Sequence, residues 1–112
     1  MTARVGLPVC RALVAFGRGD HAATVGLLAP IRHHVNEFGG SHAQRDVVQK
    51  TLLEASLRSG HLDLARVLVS ERINDRPSSP FNWLKHADVA EALGDTATAT
   101  TARSQATKLR QP

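Results

Sequence analysis

The chain has 112 residues, one cysteine, 42% apolar residues and a formal net charge of +4, from 14 Lys and Arg against 10 Asp and Glu. That length suits one domain with a single core, a lone cysteine excludes an internal disulfide framework, and no apolar run is long enough to span a membrane. The basic residues Arg11, Arg18, Arg32, Arg45, Arg58, Arg66 and Arg76 are scattered among acids instead of forming a stripe with aromatics, which argues against a nucleic-acid surface.

Strand signals are nearly absent, and apolar residues recur at three and four, so the pattern predicts six helices. The first is expected from about Pro8 to Phe16, with Pro8 in its first turn and Gly17 and Gly19 ending it. Its apolar run is broken by Arg11, contains Pro8 and lacks a small-residue cleavage signal, so it does not read as a secretory leader. A cytoplasmic protein is expected, with Cys10 as a reduced, buried thiol among Val9, Ala12, Leu13 and Val14.

Asp20 is the expected cap of a second helix that buries Val25, Leu28 and Ile31 and runs to about Asn36. Phe38-Gly39-Gly40-Ser41 then reads as a stop and a start, with Ser41 and Gln44 spaced as a capping box for the third helix. That helix carries Val47, Val48, Leu52, Leu53 and Leu57 up to Gly60, and a fourth, from about Leu62, buries Leu64, Ala65, Leu68 and Val69. Arg76-Pro77-Ser78-Ser79-Pro80 is a loop in which Ser79 can cap a fifth helix and Pro80 suits its first position. The fifth helix extends to Leu93, Gly94 turns the chain, Asp95 caps, and a sixth ends near Leu109.

Gly19, Gly60 and Gly94 share one setting: each ends an apolar run and opens another, with Ala12, Leu53 and Ala87 seven residues before. The last two glycines lie 34 residues apart, the period of tetratricopeptide repeats. Trp83, Ala87, Gly94, Ala99 and Ala106 fit the large, small, turn, small and small positions of that pattern; Leu53, Gly60, Ala65 and Pro77 fit it in the preceding unit. In the first unit Ala12, Gly19 and Leu28 fit, whereas Thr24 stands where alanine is usual and seven extra residues precede the next turn. His86, Ala90 and Arg103 also depart from the pattern. The expected fold is all-α, a single domain of three antiparallel helical hairpins, at about 7–38, 41–75 and 79–109, stacked as a right-handed tetratricopeptide-like solenoid.

Phe38-Gly39-Gly40-Ser41-His42-Ala43-Gln44-Arg45-Asp46-Val47, followed by Glu71-Arg72 and Pro77-Ser78-Ser79-Pro80, resembles the carboxy-terminal part of the tetratricopeptide repeat protein 38 family. The likeness spans about Leu7 to Pro80. It implies larger helical-repeat relatives, to whose last portion this chain corresponds either as a natural short relative or as a truncated product, with Ser41, His42, Gln44, Arg45 and Asp46 as the family motif and no defined biochemical role.

Candidate sites are few. His42 and Asp46 stand one helical turn apart, a spacing that serves a metal or acid-base pair, but His33 and His34 point about 100 degrees apart and complete no zinc set. The alternative is that Asp46 pairs with Arg45 or with an Arg on another helix. Cys10 and His21 lack a third orienting group for nucleophilic chemistry. The chain therefore reads as a non-catalytic interaction or scaffold module for a protein or peptide, without cofactor or metal; the competing reading is a fragment with a metal or acid-base site at His42 and Asp46.

By resemblance to tetratricopeptide arrays, the first helix of each hairpin lines a groove, which nominates Lys50, Glu54, Arg58, Asp88 and Glu91; the first three are equally readable as an exposed ion-pair ladder. The first helix is apolar over most of its circumference, although a terminal repeat needs a polar outer face. Either an upstream repeat or a second copy of the chain would cover it, and a homodimer through Leu7, Val9, Leu13 and Phe16 is expected, while Thr96, Thr98, Thr100, Thr101, Ser104 and Gln105 make one side of the sixth helix polar, as a cap requires.

Overall fold

The computed structural model describes residues 3–32 and 42–110, with side chains from 9 to 32 and from 46 to 110. Its elements are all helical: α1 (Ala3–Gly17), α2 (His21–Leu28), α3 (His42–Ser59), α4 (Leu62–Asp75), α5 (Pro80–Ala92) and α6 (Thr96–Arg110). The chain divides into two compact units, Met1–Gly60 and His61–Pro112. In the first, α2 packs against both α1 and α3; in the second, α5 packs against both α4 and α6.

The turn glycines explain the helix ends. Gly19, Gly60 and Gly94 have φ of +81°, +82° and +84°, the left-handed region in which a side chain is strained. At two of them an aspartate follows and serves both neighbours. Asp20 N–H donates to the Ala15 carbonyl (2.9 Å) and Asp95 N–H to the Ala90 carbonyl (2.8 Å), closing the helix behind. Their carboxylates then accept from the Ala23 N–H (3.2 Å) and the Thr98 N–H (3.1 Å), opening the helix ahead. His61, at the corresponding place after Gly60, makes no side-chain cap, and Asp63 instead supplies negative charge in the first turn of α4.

The repeat is visible in burial. Seven residues before each turn glycine lies a buried side chain, Ala12, Leu53 or Ala87, and five residues after it another, Thr24, Ala65 or Ala99. Where these residues are small, between α1 and α2 and between α5 and α6, the two helices pack closely. Ala87 and Ala90 of α5 meet Ala99 and Ala102 of α6 in one cluster, with Trp83 packed over it. In α1 and α2 the same role is modified: the Thr24 hydroxyl, fully buried, donates to the Ala12 carbonyl (3.3 Å) and to its own helix at Asp20 (3.0 Å). Threonine is tolerated where alanine is usual because its hydroxyl has two acceptors.

Several expectations need correction. The helix α1 begins at Ala3, so Pro8 lies in its second turn and forfeits the bond its N–H would give to the carbonyl four residues earlier. The regular part of α2 stops at Leu28, followed by a tighter turn over residues 29–32, because Pro30 has no N–H to continue the ladder. Cys10 is exposed: Val9 and Ala12 hold the inward face of α1, and Cys10 is rotated by about 100° from Val9. Val47 is likewise exposed beside the buried Val48. Ser79 occupies the cap position of α5, but its hydroxyl makes no capping bond; its carbonyl accepts from Asn82 N–H (3.2 Å) and Trp83 N–H (3.4 Å). The loop at Phe38-Gly39-Gly40-Ser41 and the stretch of α2 expected as far as Asn36 lie outside the described residues.

Candidate functional site

On α3, the charged residues expected to line a groove are organised by helical spacing. Lys50 pairs with Asp46 (3.2 Å) and Arg58 with Glu54 (2.8 Å), both one turn apart and each partly exposed. Pairs of this kind contribute about 0.3–0.5 kcal/mol each, so they order the surface more than they stabilise it. On α5, Asp88 pairs with Lys85 (3.7 Å), while Glu91 reaches across to Arg103 of α6. Each group belongs to its own unit.

Asp46 engages Lys50 on its own helix. The side chains of His42, Gln44 and Arg45, and Ser41 as a whole, lie outside the described residues. Among the described residues no three His, Cys, Asp or Glu come together as a metal set. His21 packs edge-on against Phe16, with ring centroids 5.3 Å apart and its Nδ1 buried without a hydrogen-bond partner.

Of the residues expected to self-associate, Val9 is completely buried and belongs to the core of the first unit. Leu13 is 40% exposed and Phe16 half-buried against His21. The side chain of Leu7 lies outside the described residues. Val14, at 53% exposure, and Cys10 extend the apolar stripe along the outside of α1.

The most elaborate polar structure joins α4 to α5, and the sequence reading missed it. Asn82 is 1% exposed and uses both ends of its amide. Its Nδ2 donates to the carbonyls of Arg72 (3.0 Å) and Arg76 (3.2 Å) at the end of α4, which also accept from Arg76 N–H (2.9 Å) and Ser79 N–H (3.3 Å), and its Oδ1 accepts from Arg72 Nε (2.9 Å). The Arg72 guanidinium also lies over the Phe81 ring, 5.4 Å from its centre, with Lys85 Nζ 5.9 Å from the same ring. Trp83 Nε1 donates to the Pro77 carbonyl (2.7 Å), fastening the intervening loop. The only trace of this in the sequence is an asparagine in a first helical turn, a pattern too common to single out a buried amide.

At the α5–α6 turn, Asp95 accepts from the Thr98 hydroxyl (2.6 Å) and the Thr98 N–H (3.1 Å). These bonds, with a smaller contribution from His86, hold its carboxyl below the ordinary 3.8, against a weak opposing effect of lost water. His86 itself packs edge-on to Trp83 with centroids 6.0 Å apart.

No known family model matches the sequence, and no solved structure matches the chain. No helix among the described residues is long and apolar enough to cross a membrane.

Proposed function

We propose that this protein is a non-catalytic interaction module of tetratricopeptide type, a right-handed stack of helical hairpins, similar to the carboxy-terminal part of the tetratricopeptide repeat protein 38 family. The observation that carries the reading is the threefold recurrence of a left-handed glycine with buried residues seven before and five after it. A period of this kind builds a surface from successive helices, and repeat stacks use such surfaces to hold extended or helical peptides. Each unit by itself carries ordered charge pairs, at Lys50 and Arg58 on α3 in the first and at Asp88 and Glu91 on α5 in the second.

The test is selection of peptides from a random library on the immobilised chain, followed by titration calorimetry of the selected sequences. Selected peptides should bind the wild type and lose at least tenfold in affinity against a Lys50→Glu/Arg58→Glu double variant whose circular dichroism is unchanged. Equal affinity for both proteins refutes the assignment of the groove to α3.

A further inference from the structure

We draw no further inference here: the strongest candidate, the outward face of α1 on which Cys10, Leu13 and Val14 are exposed beside Arg11 and Arg18, carries nothing because no observation in the structure shows what covers it.

Discussion

Replacing Asn82 by alanine isolates the energetics of the joint between α4 and α5. The change removes three hydrogen bonds: two from Nδ2 to the Arg72 and Arg76 carbonyls, and one from Arg72 Nε to Oδ1. Each carbonyl loses a donor in a place where the amide had displaced water, at about 1 kcal/mol apiece. The Arg72 guanidinium is half-buried and keeps its place over Phe81, so its lost acceptor is partly replaced by solvent and costs about 1 kcal/mol. The sum is about 3 kcal/mol, a large share of the stability of a small unit. Urea unfolding followed by circular dichroism measures it, with the fluorescence of Trp83, the one tryptophan, as a second probe. Asn82→Leu separates hydrogen bonding from packing: it fills a similar volume and should still lose at least about 2 kcal/mol, because all three side-chain bonds go with the amide and the two carbonyls keep only their backbone donors, Arg76 N–H and Ser79 N–H. A leucine variant within about 1 kcal/mol of wild type would show that the site is held by shape, and the argument would fail.

Gly94→Ala and Gly26→Ala should act in opposite directions. A Cβ meets nothing within 4 Å at either position, but Gly94 has φ of +84° while Gly26 is inside α2; the first should cost about 1 kcal/mol and the second stabilise by about 0.5–1 kcal/mol in thermal unfolding. Thr24→Val, which keeps the shape and removes the bonds to the Ala12 and Asp20 carbonyls, should destabilise by about 1 kcal/mol in the same assay. Because the folded carboxyl of Asp95 titrates below its unfolded value of 3.8, its contribution is fully present above that pH and is lost as the pH falls through the lower folded value. An NMR titration of the Asp95 carboxyl should therefore show a midpoint under 3.8, and Thr98→Ala should move it upward; a midpoint that does not move would remove Thr98 as the cause.

Much of the secondary structure is legible from local chemistry. A left-handed glycine marks the turns before α2, α4 and α6, an aspartate after it caps α2 and α6, an apolar spacing of three or four marks the inward faces, and turn-spaced charges announce the Glu54–Arg58 pair. What stays hidden depends on neighbours distant in sequence. The rotation of α1 decides that Val9 is buried and Cys10 is not, and an apolar run on every side of a helix cannot reveal that rotation. Asn82 is buried because the carbonyl end of α4 comes to it from ten residues away, and no periodicity records that approach. Pro8 and Pro30 show the limits of local rules in both directions: one is absorbed into a helix that starts earlier, the other ends regular helix sooner than the apolar spacing suggests.

The seam of Ala87, Ala90, Ala99 and Ala102 restricts how this protein can drift. A methyl group is already the least that a side chain can offer, so the seam has no smaller residue to fall back on except glycine, which would loosen both helices at once. Any larger residue pushes two backbones apart along their length, and the displacement reaches Trp83, which rests on the same cluster. Substitutions should therefore accumulate on the threonine-rich outside of α6 while its alanine edge holds still, giving one helix two very different evolutionary clocks.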